Sequence, residues 1–263
     1  MTVVEGKRAV VTGGGRGIGR ALAHKLASER ARVVVNDLDG DAAASVAAEI
    51  GGSSFAGNSA TEAGASALFE SSMATLGGID LWFANAGIER GRGLDADEAD
   101  WAASFEVNVM SSVRAARLLV PYWLEQGQGR LVVTASAAGL LTTLGNPIYS
   151  VTKHGAVAFA EWLAATYRHR GIVVQAICPL GVQTDMLDGS GRGRALMELD
   201  DVLAPEAVAD AVFAALQDDR FLILPHPQVA EYYARRSGDT DRWLRSMNRI
   251  QQQLMELDSS PPN

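Results

Sequence analysis

Short apolar runs alternate along this chain with longer stretches that have the spacing of amphipathic helices. Most of the runs are continuous in Val, Ile, Leu and Ala, which is typical of parallel strands covered on both faces. The predicted strands are Arg8 to Thr12, Arg32 to Asn36, Ser53 to Ala56, Leu81 to Ala84, Arg130 to Ala135, Val173 to Ile177 and Phe221 to Leu224. The predicted helices cover 17–30, 41–50, 62–76, 97–125 and 149–170. This alternation predicts an α/β fold, a doubly wound parallel sheet with helices on both faces.

A glycine-rich turn joins the first strand to the first helix and reads Thr12-Gly13-Gly14-Gly15-Arg16-Gly17-Ile18-Gly19. Glycines let a phosphate group approach the main chain, and the start of the helix offers unpaired N–H groups to an anion. Many glycine turns bind nothing, but the position between a strand and a helix favours a diphosphate site. The sheet is therefore predicted to be of the single-domain Rossmann type, with a dinucleotide at this turn.

Asp37, at the end of the second strand, bears on which dinucleotide binds. A carboxylate there can accept hydrogen bonds from both hydroxyls of an adenosine ribose and would repel a 2′-phosphate, which favours NAD over NADP. The alternative is that Asp37 or Asp39 caps the helix that starts near Asp41. Arg16 complicates the choice of cofactor, because an arginine in the turn could bind a 2′-phosphate.

Ser136 follows the fifth strand, and Tyr149 and Lys153 lie four residues apart, so on a helix they share one face. Lowering the pKa of a tyrosine from ~10 to ~7 requires about 4 kcal/mol. A cation at ~4 Å supplies an amount of that order at an effective dielectric constant of ~20. Tyr149 and Lys153 are thus a candidate acid/base pair, with Ser136 placed to hold a substrate oxygen. Taken alone, such a pair is more often a surface feature.

Composition narrows the class of protein. The 263 residues are 48% hydrophobic and carry a formal charge of −8, which argues against a general binder of nucleic acids or acidic membranes. Cys178 is the one cysteine, so an internal disulfide is excluded, and the histidines show no metal-ligand spacing. The start of the chain lacks the apolar stretch of a signal peptide, and no run is long enough to span a bilayer. We expect a cytoplasmic protein without a metal.

Together these residues resemble the classical short-chain dehydrogenase/reductase family over nearly the whole of Lys7 to Leu224. The turn matches the family's cofactor motif, and Asn85-Ala86-Gly87 matches its Asn-Asn-Ala-Gly motif with Ala84 in place of the first Asn. Asn108, Ser136, Tyr149 and Lys153 match the catalytic tetrad in order and spacing. Each motif alone is weak to moderate, whereas all of them in register are very specific.

The resemblance implies roles for the tetrad. Tyr149 acts as general base in alcohol oxidation and as general acid in carbonyl reduction. Lys153 lowers the pKa of Tyr149 and binds the nicotinamide ribose, Ser136 orients the substrate oxygen, and Asn108 holds a water on a proton path.

Two places depart from the family pattern. Asn58-Ser59 stands where the family usually has Asp-Val, and Leu180 stands where it has glycine. We expect Asn58 and Ser59 still to bind near the adenine, and Leu180 to project into the substrate pocket. The predicted cofactor contacts are Gly13, Arg16, Gly17, Ile18, Gly19, Asp37, Asn58, Ser59, Asn85, Ala86, Gly87, Tyr149, Lys153, Pro179, Val182 and Thr184.

The remaining expectations concern substrate, domains and assembly. Residues 1–225 are predicted to form the dinucleotide-binding and catalytic domain, with a substrate lid at about 185–202. Residues 226–263 are predicted to be a helical extension and a short disordered tail of the same domain. Leu180, Met186 and Leu187 are predicted to line the pocket of a mainly apolar alcohol or ketone. Surplus apolar residues on the helices at 97–125 and 149–170 suggest a homo-oligomer, a dimer or a tetramer.

The leading hypothesis is an NAD(H)-dependent oxidoreductase that transfers a hydride between a secondary alcohol or ketone and nicotinamide. One alternative is an NADP-dependent carbonyl reductase. Another is a sensor that binds a dinucleotide without catalysis.

Overall fold

The computed structural model describes residues 3–188 and 202–259. Within them, seven parallel strands form one sheet in the order β3-β2-β1-β4-β5-β6-β7. The strands are β1 Arg8–Thr12, β2 Arg32–Asp37, β3 Ser53–Ala56, β4 Leu81–Ala84, β5 Gly129–Thr134, β6 Ile172–Ile177 and β7 Leu222–Ile223. The fold is the predicted Rossmann-type doubly wound sheet, and β1 lies between β2 and β4 at the point where the strand order reverses.

Helices connect the strands on both faces of the sheet. They are α1 Gly17–Ser28, α2 Gly40–Ile50, α3 Glu62–Leu76, α4 Glu98–Phe105, α5 Ser111–Gln126, α6 Ala138–Leu141, α7 Pro147–Tyr167, α8 Asp185–Asp188, α9 Pro205–Ala215, α10 Gln228–Gly238 and α11 Thr240–Ser259. A π-helical segment, Glu106–Met110, joins α4 to α5, and a 3₁₀ turn, Arg168–Arg170, follows α7.

The central strands are apolar throughout because both faces of the sheet are covered. Val10 and Trp82 belong to a core cluster on one face, and Val11 and Phe83 to a second cluster on the other. All four side chains are buried, so an alternating pattern would place polar groups in one of the two cores. β3, at the edge of the sheet, alternates between partly buried and exposed residues.

The structure differs from the predicted elements in two places. The helix predicted over 97–125 is divided by the π-helical segment that carries Asn108. The short helix α6 lies between β5 and α7, in a stretch for which no helix was predicted. Most of the predicted lid at 185–202 and the tail beyond 259 fall outside the described residues.

The segment after β7 forms two helices, α10 and α11. Val229 is fully buried in the core cluster that contains Trp82, and Trp243 of α11 packs against the same cluster. The start of the extension is thus packed on the sheet domain. Among residues 3–188 and 202–259, no helix is both long enough and apolar enough to cross a membrane.

Candidate active site

A cavity of about 1010 Å³ runs along the carboxyl ends of the strands, where open α/β sheets bind their ligands. Nearly all of the sequence-predicted site residues line it. They are Gly13, Arg16, Gly17, Ile18, Asp37, Asn58, Ser59, Asn85, Ala86, Gly87, Ser136, Tyr149, Lys153, Pro179, Leu180, Val182, Thr184, Met186 and Leu187. Two predicted residues, Gly19 and Asn108, do not line the cavity but lie behind its wall.

The glycine turn is held by close backbone contacts. Gly13 has a φ of +60°, and a Cβ there would lie 2.9 Å from the Cα of Ala86. A Cβ on Gly19 would overlap the carbonyl oxygen of Gly13. Gly19 therefore lets α1 close onto the turn, and its predicted contact with the cofactor stays a prediction.

Asn85 ties this turn to the middle of the sheet. Its Nδ2 donates to the carbonyl oxygens of Thr12 and Gly13, at 3.1 Å in each case. Its Oδ1 accepts from the hydroxyl of Thr134 at 3.0 Å. The Asn-Ala-Gly motif thus fixes the turn through its first residue, while Ala86 and Gly87 line the cavity.

The two carboxylates after β2 have separate roles. Asp39 caps α2, because its Oδ1 accepts from the backbone N of Ala42 at 3.1 Å. Asp37 instead accepts from the backbone N of Gly15 at 2.9 Å and lies on the cavity wall. Arg16 is paired with Asp39 at 3.1 Å and with Asp185 at 3.6 Å. The helix cap weighed in the sequence analysis is therefore Asp39.

Asn108 lies on the π-helical segment with a buried side chain. Its Oδ1 accepts from the backbone N of Ile88 at 2.9 Å, and its Nδ2 donates to the carbonyl of Ile88 at 2.9 Å and to the hydroxyl of Thr152 at 3.1 Å. The side chain therefore connects the loop after β4 to α7. The predicted water-holding role of Asn108 stays a prediction.

Ser136, Tyr149 and Lys153 meet at one end of the cavity. The Nζ of Lys153 lies 5.5 Å from the centroid of the Tyr149 ring and donates to the carbonyl of Thr134 at 2.9 Å. The hydroxyl of Ser136 accepts from the backbone N of Ala138 at 3.1 Å, which fixes its position. The predicted face shared by Tyr149 and Lys153 is thus the face of α7 that closes the cavity.

Burial has the largest effect on the pKa values of Tyr149 and Lys153. It raises the pKa of Tyr149 to about 12, against the hydrogen bond with Ser136 and with a further contribution from the negative charge of Glu89. It lowers the pKa of Lys153 to about 8. The sequence argument expected a value near neutrality for Tyr149, but the protein groups alone keep this phenol protonated at neutral pH. Burial also raises the pKa of the Cys178 thiol to about 12, so Cys178 is no thiolate.

Leu180 lies on the cavity wall, in the loop that follows β6. Its backbone N donates to Nδ1 of His226 at 3.1 Å, and the His226 side chain is buried. Leu187 is buried and Met186 is 39% exposed, so the two predicted pocket residues of α8 differ in how far they are covered.

Sequence reasoning missed three residues that shape this site. Thr134 supplies the carbonyl that holds Lys153, Glu89 lines the cavity, and His226 supports Leu180. A signal was present for Glu89, an acidic residue just after the Asn-Ala-Gly motif, and for Thr134, a polar residue ending a buried strand. His226 is 46 residues from Leu180 in the sequence, so no local pattern predicts their contact.

The residues present fit a nicotinamide dinucleotide. The backbone of the glycine turn is open to the cavity where a diphosphate would lie, and a Cβ on Gly17, which has a φ of +51°, would meet Thr184 at 3.1 Å. Asp37 ends β2, whereas Lys153 is bonded to the carbonyl of Thr134 at the end of β5, and β1 and β4 lie between these two strands. The two residues therefore stand at opposite ends of the cavity, as the two riboses of a dinucleotide require.

Comparisons with known proteins show which family the chain belongs to. The short chain dehydrogenase family matches residues 7–195, more than half of the chain. The chain is 34% identical over 245 residues to 1-deoxy-11-beta-hydroxypentalenate dehydrogenase of Streptomyces avermitilis, covering 90% of each protein. It is 35% identical over 189 residues to the peroxisomal hydratase-dehydrogenase-epimerase of Neurospora crassa, covering 67% of this chain but only 21% of that longer protein.

A solved structure resembles the chain over its full length. It is a short-chain dehydrogenase/reductase from Burkholderia phymatum in complex with NAD, with a TM-score of 0.83, 29% identity and coverage of 100% of this chain and 99% of that one. The chain therefore belongs to the classical short-chain dehydrogenase/reductase family and is an oxidoreductase of that family.

Proposed function

We propose that this protein is an NAD(H)-dependent dehydrogenase that interconverts a secondary alcohol and a ketone. The observation that carries the proposal is the meeting of Ser136, Tyr149 and Lys153 at one end of a cavity whose other end presents Asp37. A protein that only binds a dinucleotide has no need for a buried phenol beside a buried ammonium group.

Each residue has a distinct part in the reaction. Ser136 holds the substrate oxygen by hydrogen bonding, and Tyr149 accepts the proton of the alcohol or returns it to the ketone. Lys153 places a positive charge beside the phenol and so favours the tyrosinate over the neutral form. The nicotinamide, when bound, takes up or supplies the hydride.

The preference for NAD rests on the charges at the adenosine end. Asp37 faces the cavity there, and a 2′-phosphate beside it would meet a carboxylate of the same sign. Arg16, the cation that could compensate, is already paired with Asp39 and Asp185. We expect Asp37→Ser to narrow the difference between the dissociation constants of NADH and NADPH, measured by fluorescence titration. Tighter binding of NADPH than of NADH by the wild type would refute the preference.

Tyr149→Phe tests the chemistry itself. We expect turnover to fall by more than about a thousandfold, because the general acid and base is lost, while NADH binding stays within about twofold since the ring remains. Undiminished turnover in this variant would refute the mechanism. If the wild type bound NADH tightly but reduced and oxidised nothing in a broad panel of alcohols and ketones, the non-catalytic sensor would be favoured instead.

Apolar side chains support two further proposals, one about the substrate and one about the oligomeric state. Leu180, Met186 and Leu187 support a substrate with an apolar body. Exposed large side chains on α4 and α7 support a homo-oligomer, because Phe105 on α4 is 45% exposed and Trp162 on α7 is 56% exposed. Light scattering coupled to size-exclusion chromatography measures the number of subunits.

A further inference from the structure

The loop between β4 and α4 carries a carboxylate that the proposed reaction does not use. Glu89 lines the cavity, and its side chain is only 18% exposed. It is close enough to the reacting end of the cavity for its negative charge to act on Tyr149. Carboxylates held at such depth in a pocket wall usually have a partner or a function.

The residue that precedes α7, the helix that carries Tyr149, holds Glu89 in position. The Nδ2 of Asn146 donates to Oε1 of Glu89 at 2.8 Å, and the Asn146 side chain is buried. Asn146 is also the N-cap of α7, since its Oδ1 accepts from the backbone N of Tyr149 at 3.0 Å. One amide group therefore links the carboxylate of Glu89 to the backbone of the catalytic tyrosine.

The two oxygens of the Glu89 carboxylate differ in their partners. Arg92 contacts Oε1 at 3.2 Å, the same oxygen that Asn146 occupies. For Oε2, no hydrogen-bond donor is found within residues 3–188 and 202–259. A carboxylate only accepts, so a donor on the substrate is the group that suits this oxygen.

The charged side chains near Glu89 limit which charge a substrate can have there. Arg92 is 44% exposed, so solvent screens its charge, and Arg90 lines the cavity from the exposed side of the same loop. The ammonium group of Lys153 donates to the carbonyl of Thr134 and lies beside the Tyr149 ring. An anionic substrate group next to the Glu89 carboxylate would be repelled by it at short range.

We propose that Glu89 determines substrate specificity, selecting neutral substrates with a second hydroxyl group beside the reacting carbon over substrates with a carboxylate there. The inference rests on the proposed alcohol dehydrogenase function and names its substrate class as vicinal diols and the hydroxyketones formed from them. It also refines the expectation of a mainly apolar substrate, because one wall of the pocket is anionic. A hydrogen bond from a hydroxyl to a carboxylate contributes about 1.5–3 kcal/mol, or about ten- to a hundredfold in affinity.

The test compares matched ligands in wild type and Glu89→Gln. The probes are a vicinal diol, the corresponding β-hydroxy carboxylate and the simple alcohol, each on a four-carbon and on a cyclohexane frame. Binding is measured by calorimetry in the presence of NADH, which needs no turnover. Glutamine keeps an oxygen for Asn146, so the start of α7 is preserved. Glu70→Gln, on the exposed face of α3, is the control for loss of one negative charge.

We expect the wild type to bind the diols most tightly, and Glu89→Gln to weaken the diols about tenfold, strengthen the carboxylates and leave the simple alcohols unchanged. Equal changes for all three ligands would mean a structural role only and would overturn the proposal. Wild-type preference for the carboxylates, or binding of none of the probes, would overturn it as well. Diol preference in binding without any turnover would leave it standing and would refute the hydride-transfer function alone.

Discussion

Replacing Lys153 with methionine should make the protein more stable while it removes the activity. Lys153 is 3% exposed, and within the described residues its ammonium group has one hydrogen bond, to the carbonyl of Thr134 at 2.9 Å. Burial of this charge lowers the pKa of Lys153 from 10.5 to about 8. Methionine has a similar length and no charge, so it removes the buried cation and fills most of its volume.

The pKa of Lys153 sets the size of the effect. A difference of 1.36 kcal/mol per pH unit makes the buried ammonium group unfavourable by about 3 kcal/mol at pH 7. Leaving the carbonyl of Thr134 without its donor offsets about 1–3 kcal/mol of that. We therefore expect Lys153→Met to raise the free energy of unfolding by about 1 kcal/mol at neutral pH, where most buried substitutions lower it.

The pH dependence of this difference is the sharper measurement. Because the pKa of Lys153 is lower in the folded than in the unfolded state, the unfolded chain binds more protons between about pH 8 and 10.5, and wild-type stability rises with pH there. The wild type should gain about 2 kcal/mol relative to the variant between pH 7.5 and 9.5, measured by urea unfolding. Lys7→Met, at a partly exposed lysine, is the control. A difference between wild type and Lys153→Met that stays constant with pH would refute the reasoning.

Three other substitutions test the fold and the assembly. Gly19→Ala should weaken NADH binding more than about tenfold in a fluorescence titration, because the added Cβ would overlap the glycine turn. Gly238→Ala is the control, because a Cβ there has no atom within 4 Å, and this variant should bind NADH as the wild type does. Burial raises the pKa of Asp80, but hydrogen bonds from Arg8 more than compensate and the net pKa is lowered. The stability that the Arg8–Asp80 pair contributes is therefore lost as the pH falls. In an acid-unfolding titration followed by circular dichroism, Asp80→Asn should lose less stability at low pH than the wild type does. An unchanged dependence on pH would contradict this. Trp162→Glu should reduce the number of subunits in light scattering, and an unchanged mass would place the interface elsewhere.

The sheet was predictable because its strands are buried on both sides. Such strands are nearly continuous in apolar residues, so their position shows in the sequence without any knowledge of their neighbours. All seven predicted strands agree with the structure to within one residue at each end, and β7 is the one that is shorter than predicted at both ends. The glycine turn was predictable for a different reason, since a Cβ at Gly13 or Gly19 would meet neighbouring backbone atoms too closely.

The parts that were missed depend on contacts between distant residues. The π-helical segment at Asn108 interrupts a helix whose apolar spacing continues on both sides, and the contacts that accompany it are with Ile88 and Thr152. Likewise, either Asp37 or Asp39 could have capped α2 on local grounds. The choice depends on Gly15, which is 22 residues from Asp37 along the chain and donates to its carboxylate.

Two opposite charges act on Tyr149. Lys153 lies on one side of the phenol with a buried positive charge, and Glu89 acts on it from the loop after β4 with a negative one. Lys153 favours the tyrosinate and Glu89 opposes it, so neutralising Glu89 should lower the pKa of Tyr149 and neutralising Lys153 should raise it. Glu89 thus acts against the general base, and its burial beside Asn146 is hard to explain by the reaction alone. The proposed recognition of a substrate hydroxyl by Oε2, which has no donor in the described part of the chain, would give that carboxylate a function.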